Sequence, residues 1–490
     1  MAYVNSVTAV STGAPSVPPA SVPSSRAAES YLRRANNLPS RGRDPRPLHK
    51  RILTSPWTWV TVAAVVLYAT ALFDIYQGLV KTVQVPGGEV PGLSNAALRQ
   101  GASYAAPTLA FWVVVYLIAD RFRPQRPLVW FLALGWGGCG AVWISANVNT
   151  WAAYLMAVTG SGDPASAARP AVFVAPFVEE AMKATVLFWL AILARYRLTS
   201  KASLITLGGL SAAGFAFTEN ILYYARTITY SSITIDVGDA KAAIAQQVLI
   251  RGVLTAFGHP LFTMMTATGL AIAIRTRSKV VRILAPLAGY LLAAFLHMVF
   301  NSQATLQSIS GFLTFIFFVA FPIVLVAVIY AVWQEIAQSR LIRSRLTDYV
   351  RMGWLAERDP VVFSRLRTRF HALVVALTRG WTCWLATVRI QRAMTEMAFL
   401  RDAEARGIVD AAANLRAQDL LLTIRANRSV AVADPRGQRL NLPHLSLPAL
   451  FRRPRRPDSN GFGGWPTPGA GNGAVTGYSA VDPSWGPPPG

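Results

Sequence analysis

Apolar runs of about 20 residues recur eight times along this chain, near Trp57–Leu79, Tyr104–Ala119, Leu128–Ala146, Pro170–Ala194, Leu204–Ala225, Gly252–Ile274, Val281–Phe300 and Gly311–Trp333. As helices, runs of that length match the hydrocarbon thickness of a bilayer. Within a bilayer each segment must satisfy its own backbone groups, and an apolar run does so as a helix. The expected fold is all-α: a polytopic membrane helical bundle of about eight transmembrane helices with disordered cytoplasmic arms. Composition agrees, with 53% hydrophobic and only 14% charged residues. Soluble domains carry about 25% charged residues.

The net charge is +24. Such an excess can mark a nucleic-acid binder, but here the arginines crowd the ends of the apolar runs and the tail. No recognition module appears, so nucleic acid is not an expected partner. The segments between runs alternate in charge instead. The N-terminal arm, Asp120–Pro127, Arg195–Lys201, Arg275–Arg282 and everything after Trp333 are basic. Val80–Gln100, Asn147–Arg169, Arg226–Gln246 and Asn301–Ser310 are lean in positive charge. Basic loops stay on the cytoplasmic side, so one topology fits all nine segments, with both termini cytoplasmic in a multi-pass cell-membrane protein.

Four regions follow. Residues 1–52 read as a disordered basic cytoplasmic arm and 53–333 as the transmembrane domain. Residues 334–428 read as a cytoplasmic, partly amphipathic helical segment and 429–490 as a Pro/Gly-rich disordered tail. No short apolar core with a cleavage site opens the chain, so no signal peptide is expected. From Gln334 onward there are 22 arginines and no lysine. Val361–Leu400 interleaves arginines with Phe370, Leu373, Val374, Leu377, Trp381, Trp384 and Val388, which suggests one amphipathic helix lying on anionic lipid. Cys139 and Cys383 read as packing residues, not a disulfide.

Polar residues interrupt four successive runs. Glu179-Glu180-x-x-Lys183 comes early in the fourth, Glu219-Asn220 late in the fifth, His259 early in the sixth and His297-x-x-x-Asn301 late in the seventh. With the alternating topology, all lie roughly 5–15 Å below the outer boundary. Ionisable residues are costly in a span and normally face a protein interior, so their convergence at one depth points to a site. Glu179 and Lys183, at i and i+4, can pair on one helix face. Glu180 points about 100° further round. It is expected to lack that partner and to serve as a general acid or base. Phe215, Glu219 and Tyr223 share one stripe, Asn220 and Tyr224 the next, and both tyrosines suit an outer aromatic belt. Imidazole can act as acid, base or metal ligand. Asn301, one turn beyond His297, can donate to a developing oxyanion.

Together, Glu179-Glu180-x-x-Lys183, Phe215-x-x-x-Glu219-Asn220, His259 and His297-x-x-x-Asn301 resemble the PrsW family of intramembrane proteases, within the broader clan of CAAX-processing-type membrane proteases. The resemblance covers about Trp57–Trp333 and is most specific from Phe177 to Asn301. It implies peptide-bond hydrolysis in or beside the membrane, with a membrane-anchored protein as substrate. The family's namesake role is cutting a membrane-bound anti-sigma factor from outside. By this resemblance Glu179, Glu180, His259 and His297 carry over as catalytic, with Lys183, Glu219, Asn220 and Asn301 supporting.

The cofactor stays open. No His-Glu-x-x-His pair is present, but Glu180, Glu219, His259 and His297 could make a zinc site across helices. A carboxylate could instead activate water directly, and this metal-free reading is preferred. A transporter or scaffold using the buried Glu/His cluster is the alternative function. Transport needs polar groups through both leaflets. The inner halves of these runs are almost free of charge, which favours a one-sided site.

Overall fold

The computed structural model describes residues 26–35, 38, 46–85, 88–122, 125–159, 169–193, 200–231, 239–306, 308–407, 411–436 and 438. The first 25 residues, most of the basic loop Arg195–Lys201 and the Pro/Gly-rich tail beyond 438, with its arginine run, lie outside them.

The described chain is helical apart from one short hairpin, β1 (Val83–Val85) against β2 (Gly88–Val90). The helices are α1 (Arg26–Ala35), α2 (Leu48–Leu53), α3 (Pro56–Val80), α4 (Asn95–Ala119), α5 (Pro127–Gly135), α6 (Val142–Thr159), α7 (Ala175–Leu193), α8 (Lys201–Ser231) and α9 (Ala240–Val248). They continue as α10 (Gly258–Ala273), α11 (Lys279–Leu306), α12 (Ile309–Phe315), α13 (Phe321–Arg351), α14 (Asp359–Ser364), α15 (Leu366–Thr378), α16 (Trp381–Ala405) and α17 (Ala411–Arg428). Local chemistry sets several starts. Ser94 accepts from Ala97 N at 3.1 Å, Asp239 from Lys241 N at 2.9 Å and Ser308 from Gly311 N at 3.2 Å. Pro56 opens α3, where a missing N–H costs nothing.

Six helical stretches are long and apolar enough to cross a membrane: Pro56–Val80, Asn95–Ala119, Pro127–Met156, Ala240–Ala273, Lys279–Thr305 and Ile309–Arg351. The fourth and fifth expected spans are α7 and α8, which are not among these six. The acidic pair and Lys183 lie in α7, while α8 is rich in Gly, Ser and Thr. Their polar groups turn inward. Glu180 and Lys183 are 0% exposed, whereas Val65, Val66 and Phe73 of α3 are exposed. This apolar-outside, polar-inside arrangement suits lipid and inverts the rule for water.

The chain divides into two compact units. The first comprises Met1–Asp120, Pro124–Ala327 and Ala403–Asp419. Its centre is α8, which packs on α4, α5, α10 and the segment Trp136–Ala141. Glycine permits the closest approach: a Cβ on Gly137 would run into the Ser211 carbonyl, and one on Gly214 into the Leu134 carbonyl. Small residues let membrane helices meet backbone to backbone. Thr218 then donates to the Gly138 carbonyl at 2.6 Å. Segments Trp136–Ala141, Pro170–Val174, Leu249–Leu254 and Ile316–Ala320 are π-helical, a local widening found often at functional sites.

The arm expected to be disordered contains α1 and α2. Arg33 of α1 is buried and forks onto Asp419 of α17 at 2.7 and 2.9 Å, while also holding Glu29 at 2.7 Å. A bidentate charged contact of this kind is a tertiary property that local composition does not reveal.

The second unit comprises Arg121–Arg123, Val328–Asp402 and Leu420–Gly490. Here the expectation of one interfacial helix over Val361–Leu400 is corrected. That stretch forms α14, α15 and most of α16, separated at Arg365 and at Arg379–Gly380. Gly380 adopts φ +110°, a conformation that other residues rarely take. The helices enclose a core of Phe122, Ile342, Leu346, Phe363, Met394 and Met397. Phe370, Leu377 and Trp381 stay exposed.

Candidate functional site

The site lies within the first unit, on α7, α8, α10 and α11. On α7, Lys183 reaches both carboxylates: its ammonium donates to Glu180 Oε1 at 2.8 Å and to Glu179 Oε2 at 3.2 Å. The expectation that Glu180 lacks this partner is therefore wrong. A residue at i+3 is only about 60° from its neighbour around the helix. A long flexible stem covers that angle. The same ammonium bonds His259 Nδ1 at 2.8 Å and lies 4.0 Å from the centre of the Phe215 ring.

The sixth expected span is broken. The helical stretch that holds it starts earlier, with α9, passes through the π-helical turn Leu249–Leu254, and restarts at α10 after Thr255–Phe257. His259 and Pro260 occupy the first turn of α10. The N–H groups of that turn have no intrahelical partner, so proline is tolerated there. His259 Nε2 lies 2.8 Å from Glu219 Oε2. With Lys183 donating to Nδ1, the network assigns the proton to Nε2.

His297 on α11 has Nδ1 3.1 Å from Glu180 Oε1 and Nε2 3.9 Å from Glu179 Oε2. A proton on Nδ1 leaves a lone pair on Nε2 beside Glu179. Phe262 stacks on this ring at 4.9 Å between centroids, and the two imidazoles stand nearly perpendicular at 5.2 Å.

These groups adjoin a cavity of about 810 Å³ whose wall includes Glu179, Glu219, His259 and His297. Glu180 lies behind that wall. Its Oε2 accepts from Thr263 Oγ1 at 2.7 Å. Thr263 was not singled out in the sequence, although its place one turn after His259 on the same helix is a signal. Arg251 was also missed, because an arginine at a span edge looks like an interfacial anchor. It donates to Glu219 Oε2 at 2.7 Å and to Asn220 Oδ1 at 3.1 Å, and stacks on Tyr223 at 3.7 Å. Asn149 on α6 is a third addition, donating to Glu179 Oε1 at 3.4 Å. Tyr224, expected in an aromatic belt, is fully buried. Asn301 lines the cavity, and one of its amide N–H groups donates to the Ala171 carbonyl at 2.8 Å.

For a metal, the convergent set differs from the four residues the sequence suggested. Glu179, His259 and His297 each offer one ligand atom, all within 4.8 Å of one another. Glu180 and Glu219 instead contact the imidazoles, the position in which carboxylates orient ligating histidines. Two imidazoles, one carboxylate and two supporting carboxylates fit a divalent ion in donor type and number. Lys183 competes for His259 Nδ1, so this ring would have to exchange a partner to ligate.

A buried and a half-buried histidine, three glutamates and a lysine inside lipid-facing helices define a membrane-embedded site able to move protons or polarise a carbonyl. Residues 124–330 match the model of the PrsW family intramembrane metalloprotease. That part of the chain belongs to the PrsW family, and the protein is an intramembrane protease. No curated protein and no solved structure matches.

Proposed function

We propose that this protease cuts a membrane-anchored protein near the outer leaflet, with Glu179 as the group that activates water. The supporting observation is that Glu179, His259 and His297, from three helices, converge at the wall of one cavity. Of the adjacent carboxylates only Glu179 belongs to that wall, while Glu180 is enclosed by Lys183, His297 and Thr263. This divides the roles expected of the acidic pair: Glu179 faces the reaction, and Glu180 positions His297 and Lys183.

In this mechanism Glu179 takes a proton from water as the water oxygen bonds to the scissile carbonyl carbon. The carbonyl oxygen becomes an oxyanion, stabilised by the second amide N–H of Asn301 and the nearby cations. The proton then passes to the departing nitrogen as the C–N bond breaks. His297 Nε2 is placed to accept or return a proton in that relay. Glu219 holds His259, and Arg251, itself bonded to Asn220 Oδ1, holds Glu219. Where an ion is bound, Glu179, His259 and His297 would hold it, and it would supply Lewis acidity and a water of lowered pKa.

The outer-leaflet position follows from charge alternation between spans, with both termini cytoplasmic. A regulatory protein with a single span, of the anti-sigma-factor kind, is the substrate class this reading favours. The basic tail would meet anionic lipid on the opposite side. The test compares membrane-protein fragments in cells carrying wild type, Glu179→Gln or His297→Ala. Fragments present only with wild type support the reading. Identical fragment patterns with all three proteins, each correctly inserted, would refute it. Chelation and elemental analysis of the purified active protein decide the metal: activity that survives chelation, with far less than one zinc per chain, fits direct activation by Glu179.

A further inference from the structure

The cavity has a second polar edge that the proton chemistry does not use. It is formed by Ser145 and Asn149, one turn apart on α6. Ser145 is 1% exposed and its hydroxyl has no hydrogen-bond partner among the described residues. Asn149 Nδ2 donates to Glu179, which orients the amide, and the buried Oδ1 has no partner among the described residues. A buried polar atom without a partner costs free energy unless a ligand supplies one. Both residues line the cavity, together with the small side chains of Ala146 and Ala153 on the same helix. A wall of small residues leaves room for a main chain to lie close.

We propose that the Ser145–Asn149 edge of α6 is a main-chain subsite that holds the substrate extended beside Glu179. This rests on the proteolytic reading of the cavity and specifies the form in which its substrate is held. Asn149 Oδ1 accepts one substrate N–H, and Ser145 Oγ bonds a main-chain group two residues along. The spacing fits: residues i and i+4 of a helix lie about 6 Å apart along its axis. Main-chain groups on one side of an extended strand repeat every two residues, at about 6.6–6.8 Å. A helical guest already satisfies its own N–H and C=O groups and has nothing to offer this edge. The subsite therefore selects spans that unwind, through glycine or another helix-weakening residue, at the depth of Glu179.

The test uses the full-length protein in nanodiscs and two fluorescent peptides of about 20 apolar residues. One is uninterrupted leucine and alanine; the other carries a central Gly-Ser-Gly-Gly stretch. Binding is read by anisotropy in the first minute, and cleavage separately by mass spectrometry. Asn149→Ala and Ser145→Ala should each weaken binding of the interrupted peptide about tenfold, equivalent to about 1.4 kcal/mol. Neither should change the affinity for the uninterrupted peptide, and Ser145→Thr should retain wild-type binding. One series of interrupted peptides is N-methylated at single central amides. One position should weaken binding to wild type yet add no loss with Asn149→Ala. Wild-type affinity in both alanine variants, or N-methyl losses unchanged by Asn149→Ala, would overturn the proposal. Binding that depends on these residues without cleavage would instead count against the proteolytic reading alone.

Discussion

At the scale of single residues, Lys183 decides how two carboxylates and an imidazole can share a lipid-embedded interior. It bonds Glu179, Glu180 and His259 at once and is 0% exposed. Removing one partner of a buried ionic group strands the others, typically costing about 3–5 kcal/mol. Lys183→Met should therefore lower the Tm sharply as well as abolish cleavage. The acidic pair should separate by phenotype. Glu179→Gln should cost several orders of magnitude in cleavage with a smaller loss of Tm than Glu180→Gln, because its carboxylate is at the cavity wall. Glu180→Gln should lower both, since it disturbs bonds to Lys183, His297 and Thr263. Equal Tm changes in the two variants would remove the distinction between a reacting and a positioning carboxylate.

At the scale of elements, two features position the site: the close crossing of α8 and the break before α10. Gly137→Val should prevent α8 from reaching its place, because a Cβ there meets the Ser211 carbonyl. The expected result is misfolded protein with no cleavage, seen as early elution or aggregation in size-exclusion chromatography. Pro260→Ala should be nearly silent in Tm and activity, since the first turn of a helix needs no N–H at that position. A large loss on Pro260→Ala would mean that the proline ring, not the restart of α10, holds His259 in place. In the second unit, Gly380→Ala should cost about 1–3 kcal/mol, because φ +110° is strained for residues with a Cβ. Urea melts of the tail signal read that loss.

For the whole molecule, topology is the main prediction. A reporter fused after Gly238 should be extracytoplasmic and one after Lys201 cytoplasmic, given eight crossings with α7 and α8 included. Reversal of either would move the cavity to the other leaflet. The second unit depends on Arg369, which is buried yet bonds only neutral acceptors among its described partners. It donates to Phe122 O at 2.8 Å, Thr395 Oγ1 at 2.6 Å and Phe363 O at 3.3 Å. Burial pushes its pKa down to about 10, so it remains charged at neutral pH. Arg369→Leu should leave Phe122 and Phe363 carbonyls without this donor. Limited proteolysis should then open the tail before it touches the spans.

The sequence by itself determined the class of fold and the membership of the polar cluster. Run length, apolarity and loop charge are local properties, and a glutamate or histidine in an apolar span stands out without knowledge of its neighbours. That is why Glu179, Glu180, Lys183, Glu219, His259 and His297 were legible, and why the chain reads as helical through its apolar runs, six of whose helices are long and apolar enough to cross a membrane. The tertiary structure alone decided how they are wired. Lys183 serves two carboxylates because its reach exceeds the angle between them. Thr263, Arg251 and Asn149 join because helices distant in sequence come within hydrogen-bond distance. The helices of the N-terminal arm and the packing of the tail helices were missed for the same reason: Arg33 with Asp419, and Arg369 with Phe122, are contacts across hundreds of residues. Composition reads such segments as charged and solvated, whereas a bidentate pair or a buried guanidinium requires both partners in place.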